Sequence, residues 1–192
     1  MPASTGYKVG DTARDFSLKN VDGKMVSLSG IKDVKGYIVV FTCNACPYAK
    51  AYEDRIIALN KKYATLGYPV VAINANDKDV QPADSYDNMQ KRAKEKNYGF
   101  PYLYDETQKV AQAYHAACTP DFFLFDGEQR LVYRGQMDDS RPGNGIPVTG
   151  KDLRAAIDAV LANRPVSKDQ RPSIGCNIKW RTGNEPTYFA KK

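Results

Sequence analysis

Three stretches of the chain are apolar with little interruption: Tyr37-Ile38-Val39-Val40-Phe41, Pro69-Val70-Val71-Ala72-Ile73 and Phe122-Phe123-Leu124-Phe125. Short runs of this kind, rich in β-branched and aromatic side chains, read as strands buried on both faces. Between the first two, from about Pro47 to Leu66, apolar residues recur at helical spacing. Tyr52, Ile56, Leu59 and Tyr63 fall at i, i+4, i+7 and i+11, and Gly67 is placed to end the helix. Strand, helix, strand implies a right-handed crossover and parallel pairing.

The flanks complete the pattern. Asp15-Phe16-Ser17-Leu18 and Met25-Val26-Ser27-Leu28 alternate around a Val21-Asp22-Gly23-Lys24 turn, which predicts a hairpin. A helix is expected over about 85–96 with Asp84 or Ser85 as N-cap, then a short strand at Tyr102-Leu103-Tyr104 and a helix from Gln108 to Ala117. The run Thr119-Pro120-Asp121-Phe122-Phe123-Leu124-Phe125 follows as one strand with the proline near its start. Asp126-Gly127 turns it, and Leu131–Gly135 returns as its partner. After a Gly/Pro-rich loop at 136–149, Thr149 is placed to cap a last helix over about 150–162, with Leu153, Ile157, Val160 and Leu161 on its apolar face. The reading is an α/β domain over residues 1–162, with a central mixed sheet flanked by helices and an N-terminal β-hairpin. An extended basic tail, 163–192, packs on that domain.

Charge changes this picture little. The net charge is +6, and residues 163–192 carry +5 of it. A near-neutral domain with a basic tail is a weak nucleic-acid signal, so no nucleic-acid partner is expected. No apolar run approaches the ~20 residues of a membrane span. The opening Met1-Pro2-Ala3-Ser4-Thr5-Gly6-Tyr7-Lys8 lacks the apolar centre of a signal peptide, so no membrane association and a cytoplasmic location are expected. Four cysteines in 192 residues do not make a disulfide scaffold.

Two of those cysteines, Cys43 and Cys46, stand C-x-x-C where a strand ends and a helix begins. A helix N-terminus offers free N–H groups and the positive end of the dipole, both favouring a thiolate. Cys43 is expected to lie nearest the helix end, exposed, as nucleophile. Cys46 is expected deeper in the first turn, as the resolving thiol. A structural metal half-site or a pair of inert core cysteines are the alternatives. Without a second C-x-x-C, no metal and no cofactor are expected. Thr119-Pro120 is either a rigid trans turn or a cis peptide beside the cysteines, leaving backbone groups free for an extended substrate segment. If strand 122–125 runs antiparallel to 37–41, Pro120 starts at the cysteine end, and Asp138, Asp139 and Arg141 line the rim there. Cys118, two residues before Pro120, and Cys176, in the apolar patch Ile174 to Trp180, are accessory thiols or packing residues. His115, the one histidine, reads as structural.

The chain resembles the thioredoxin superfamily, and more narrowly its redoxin branch, related to alkyl hydroperoxide reductase and thiol-specific antioxidant proteins, in a peroxiredoxin-like bacterial group. The likeness rests on Gly10–Leu18, Phe41-Thr42-Cys43-Asn44-Ala45-Cys46-Pro47-Tyr48, Phe100–Gln108, Ala117–Asp126, Asp138–Gly145 and Ser173–Trp180. It implies a thioredoxin-like fold, a cis Pro120 and an oxidoreductase or antioxidant activity. The peroxiredoxin pattern Pro-x-x-x-Thr/Ser-x-x-Cys is not met. Counted back from Cys46 the places hold Cys43 and Val39, and counted back from Cys43 they hold Val40 and Gly36. Thioredoxin's Trp-Cys-Gly-Pro-Cys and its buried Asp are absent too: Thr42 precedes Cys43, and Tyr37 holds the Asp place. The first expectation is a thiol–disulfide oxidoreductase acting on a disulfide-bearing protein or small molecule and regenerated by an external dithiol. A peroxide-reducing thiol peroxidase is the alternative, and a redox-sensing or metal-binding module without turnover the third reading.

Overall fold

The computed structural model describes residues 7–188. Met1–Gly6, which carry most of the expectation about a leader, and Phe189–Lys192, with two of the tail's lysines, lie outside the described residues.

Seven strands form one mixed sheet. β1 (Ser17–Asn20) and β2 (Met25–Ser27) make the hairpin at one edge. β3 (Tyr37–Phe41), β4 (Val70–Asn74) and β5 (Tyr102–Tyr104) run parallel in the middle. β7 (Asp121–Phe125) and β8 (Leu131–Gly135) close the other edge as an antiparallel pair. The spatial order is β2-β1-β5-β4-β3-β7-β8. A separate two-residue strand, β6 (Cys118–Thr119), precedes Pro120 and pairs with β9 (Cys176–Asn177) from the tail. The expected continuous strand from Thr119 is therefore split at the proline, which has no N–H to give a ladder.

Every residue of β3, β4 and β7 is buried, so their side chains supply two cores by alternation. Ile38, Val40, Val70, Ala72, Phe122 and Leu124 face one cluster, which α1 (Pro47–Tyr63) fills with Tyr52, Ile56, Leu59 and Tyr63, and α4 (Lys151–Leu161) with Leu153 and Ile157. Val39, Phe41, Val71, Ile73, Phe123 and Phe125 face the other. There Tyr7, Tyr114 and the tail residues Ile178 and Trp180 cover them. Ile174 is exposed, so the tail docks through Ile178 and Trp180 without it.

Helix ends follow local chemistry. α1 starts with Pro47 at its first position, where the missing N–H would be unpaired anyway. It ends in a short 3-10 turn closed by Gly67 at φ +93°. α2 (Tyr86–Glu95) is capped by Ser85, whose side chain accepts from Asn88 N at 3.3 Å. α3 (Lys109–Ala113) is shorter than the Gln108–Ala117 expected, because His115 takes a left-handed conformation, φ +51°. α4 has Gly150 at its N-cap. The Thr149 side chain accepts from Lys151 N at 3.3 Å, one residue outside the place expected for it.

Two features set the site. Phe41 pairs with Asp121 in the β3–β7 register, so Pro120 lies at the end of the sheet where the chain leaves β3 for the cysteines. The Asp126-Gly127 turn lies at the opposite end, beside an open cavity of about 810 Å³ lined by Tyr68, Val132 and Arg164 among others. Among the described residues no helix is long and apolar enough to cross a membrane.

Candidate active site

Phe41 ends β3, and a short bend, Thr42–Ala45, carries the chain to α1. Cys46 is the N-cap of α1, with backbone φ −66° and ψ 129°. Cys43 lies in the bend before it. The expected arrangement is thus reversed. Cys46, not Cys43, stands at the helix end, and Cys43 is the deeper sulfur, 1% exposed against 6%. Neither is freely exposed.

A buried carboxylate holds the bend. Asp84 accepts from Asn44 N at 2.6 Å with one oxygen and from Asn76 Nδ2 at 2.8 Å with the other. The Asn44 side chain donates to Ala83 O at 3.0 Å and accepts from the Tyr102 hydroxyl at 2.7 Å. Asn74, at the end of β4, donates to Asp84 O at 2.9 Å. The bend is thereby tied to the ends of β4 and β5. Burial is the main cause of a raised Asp84 pKa. Sequence reasoning offered Asp84 as a possible helix cap only. Its bond to Asn44 spans forty residues of sequence, and no local pattern points to it.

Opposite the bend, the Thr119–Pro120 peptide bond is cis. Thr119 meets both sulfurs: its hydroxyl is 3.4 Å from Cys43 Sγ, and the protonated Cys46 donates to its carbonyl at 3.7 Å. Cys176 is the Cα partner of Thr119 across the β6–β9 pair, so the two side chains share a face. Cys176 packs against the cluster formed by Cys43, Cys46 and Ala49. Three of the four cysteines therefore meet. Cys118 does not join them. It precedes Thr119 and points to the other side of β6, where its buried thiol donates to Pro120 O at 3.7 Å and Ser173 O at 3.6 Å. Burial raises its pKa, which leaves an inert thiol.

The two sulfurs of the pair differ in charge preference. The Cys43 thiol donating to Cys46 is the largest cause that lowers the Cys46 pKa below the ordinary thiol value. Burial opposes it, and the Cys176 thiol and the N–H groups of Ala49 and Cys176 support it. The Thr119 carbonyl serves only the protonated form. Cys43 moves the other way: its bond to Cys46 raises its pKa most, followed by burial and the charge of Asp84. When the pair gives up one proton, the charge is favoured on Cys46 and the remaining proton on Cys43.

The loop after β8 differs from expectation. Asp138 is not on a rim. It is buried, and its carboxylate accepts from Ser140 N at 2.9 Å, Thr149 N at 2.8 Å and Gly150 N at 2.7 Å, which ties the loop to the start of α4. Asp139 pairs with Lys151 and Arg171 at the surface. Arg141 lies beside Pro120, across a narrow crevice shared with Tyr52 and Gln136. His115 stacks on Tyr188 with ring centroids 4.6 Å apart. No group of three or more His, Cys, Asp or Glu among the described residues is arranged to hold a metal ion.

A strand–bend–helix with a sulfur at the helix tip, faced by a proline-led strand across a mixed sheet, defines an oxidoreductase with a thioredoxin-like fold. The chain belongs to the AhpC/TSA family, whose model matches residues 9–134. It is 52% identical, with a TM-score of 0.88, to the crystal structure of an uncharacterized conserved protein from Geobacillus kaustophilus, covering 92% of this chain and 94% of that one. It is 26% identical over 138 residues to the thiol-disulfide oxidoreductase ResA of Geobacillus thermodenitrificans, covering 69% of this chain and 73% of that protein. A thioredoxin family thiol:disulfide interchange protein from Chlorobium tepidum shares the fold at 21% identity, with a TM-score of 0.62, 80% of this chain and 98% of that chain covered.

Proposed function

We propose that the protein is a thiol–disulfide oxidoreductase in which Cys46 is the attacking sulfur and Cys43 closes the pair. The Cys46 thiolate attacks one sulfur of a substrate disulfide, forms a mixed disulfide and releases the other substrate sulfur as a thiolate. Cys43 gives up its proton and attacks Cys46, and the second substrate thiolate leaves. The product is a Cys43–Cys46 disulfide and two substrate thiols. An external dithiol returns the pair to the reduced state and becomes a disulfide itself. This cycle belongs in a reducing compartment such as the cytoplasm.

One observation carries the reading: Cys46 occupies the N-cap position of α1, at the positive end of the helix dipole, beside donors that favour its thiolate. The roles expected from the sequence are exchanged for that reason. Thr119, in contact with both sulfurs, is the positioning residue, and Pro120 shapes the wall opposite them. The name of the Geobacillus thermodenitrificans relative supports disulfide exchange. Peroxide reduction is less well supported. The place three residues before Cys46, where peroxiredoxins carry a hydroxyl, holds Cys43 with its thiol directed at Cys46.

Stopped-flow mixing tests the choice. Reduced protein is mixed with hydroxyethyl disulfide and, separately, with hydrogen peroxide. The expected result is faster oxidation by the disulfide, with loss of two thiols per chain. Faster oxidation by peroxide through a Cys46 sulfenic acid would replace this reading with a thiol peroxidase.

A further inference from the structure

Cys176 lies in the tail, sixteen positions before Lys192 and outside the stretch that the family model matches. Its position is nevertheless tightly specified. β9 pairs antiparallel with β6, setting Cys176 opposite Thr119 and Asn177 opposite Cys118. Gly175 permits the approach: a Cβ built on it would collide with the Thr119 carbonyl. The tail is anchored on both sides of the strand. Before it, Arg171 O accepts from Gln136 N at 2.9 Å and Ser173 Oγ donates to Gly135 O at 2.6 Å. After it, Ile178 N donates to Ala117 O at 3.2 Å, Lys179 N to Asn76 Oδ1 at 2.9 Å, and Arg181 N to Gln108 Oε1 at 2.9 Å. Ile178 and Trp180 are buried in the second core. An elaborate mooring therefore delivers one half-buried thiol to Cys46.

Resting on the oxidoreductase reading above, we infer that Cys176 is a second resolving thiol, which takes the mixed disulfide on Cys46 ahead of Cys43. The sequence is balanced. The Cys46 thiolate and a substrate disulfide give the mixed disulfide and one substrate thiolate. The Cys176 thiolate then attacks Cys46 Sγ, forming a Cys46–Cys176 disulfide, and the second substrate thiolate leaves. An external dithiol attacks the more exposed sulfur, Cys176. Cys46 departs as its stabilised thiolate, and the second thiol of the donor closes on the first to free Cys176.

Access and charge favour Cys176 over Cys43 as the first attacker. Cys43 is sealed under the bend, whereas Cys176 reaches solvent. Burial is the largest cause that raises the Cys176 pKa to about 11, and it persists; the bond to Cys46 and the charge on Cys46 add to it. The latter two vanish once Cys46 is in a mixed disulfide. Cys43 also loses its bond to Cys46, the largest cause on it, but its deeper burial and the Asp84 charge remain. The docked strand also occupies the pairing edge of Thr119. A substrate that reaches Cys46 with the tail in place is therefore a small disulfide, because an extended polypeptide would have to displace β9.

The test uses the full chain. Reduced protein is mixed with hydroxyethyl disulfide, quenched in acid from milliseconds to minutes, tagged at free thiols and mapped by mass spectrometry. The expected order is an adduct on Cys46, then a Cys46–Cys176 link, with any Cys43–Cys46 link later. In Gly175→Ala the yield of the Cys46–Cys176 link relative to adduct falls by about tenfold, as displacement of one reacting sulfur requires. An adduct on Cys46 that resolves only to Cys43–Cys46, with Cys176 tagged throughout, overturns this inference and leaves the proposed function standing. No adduct on Cys46 overturns both.

Discussion

Cys43 and Cys46 are three residues apart and hold opposite preferences for a proton, and Cys43 is the main reason for the preference of Cys46. Replacing Cys43 by Ala removes that donor. The midpoint for alkylation of Cys46 should then move up towards the ~8.5 of a free cysteine, read by pH-resolved tagging. Asp84→Asn acts on the other sulfur. It removes the charge that helps keep Cys43 protonated, so Cys43 should tag at lower pH than in the parent chain. It also weakens the bonds to Asn44 and Asn76, at a cost of about 1–2 kcal/mol in urea unfolding. The sign of the pH effect follows from burial. The folded chain holds the Asp84 proton more tightly than the unfolded one, so this contribution is present below the ordinary carboxylate range. It is lost as pH rises through the raised pKa, and the Asn variant should lack that slope. The sequence carried the signal for the cysteine geometry in Pro47. Proline favours the first helical position, which makes the residue before it the N-cap. The sequence carried no such signal for Asp84, whose partners are brought to it by the sheet.

At the scale of elements, the apolar runs and the helical stripe of α1 were enough to order strands and helices, because each buries a face that the chain pattern displays directly. The misplacements have local causes: a left-handed His115 ends α3 early, and Pro120 divides a strand. Links between elements were not legible. Glu53, on the inner face of α1, is bound by Arg92 of α2 through contacts of 2.7–3.0 Å to both its oxygens. Arg92→Met leaves that buried carboxylate unpaired and should cost about 2–4 kcal/mol. Glu53→Gln in the same chain should recover part of the loss, and denaturant unfolding of the single and double variants gives the coupling.

Across the whole molecule, the tail departs furthest from what its composition suggested. Its charge drew attention to acidic partners, yet several of its basic groups are engaged within the chain: Arg171 on Asp139, Arg181 on the Glu106 carbonyl and Lys179 on the Asn177 carbonyl. Its apolar patch was legible. Its two-residue strand against β6 was not, since pairing so short leaves no periodic trace. If the Cys46–Cys176 link forms on oxidation, the Ile178 and Lys179 amides should exchange hydrogen more slowly in the oxidised than in the reduced chain. Sheet, helix and tail converge on Cys46, and one titration tests that convergence most directly. Reduced protein is exposed to brief pulses of iodoacetamide across a pH series, and each cysteine is quantified by mass spectrometry. The account predicts that Cys46 is labelled first and with a midpoint below that of a free cysteine, while Cys43 is labelled only in alkali. Labelling of Cys43 at lower pH than Cys46 would contradict it.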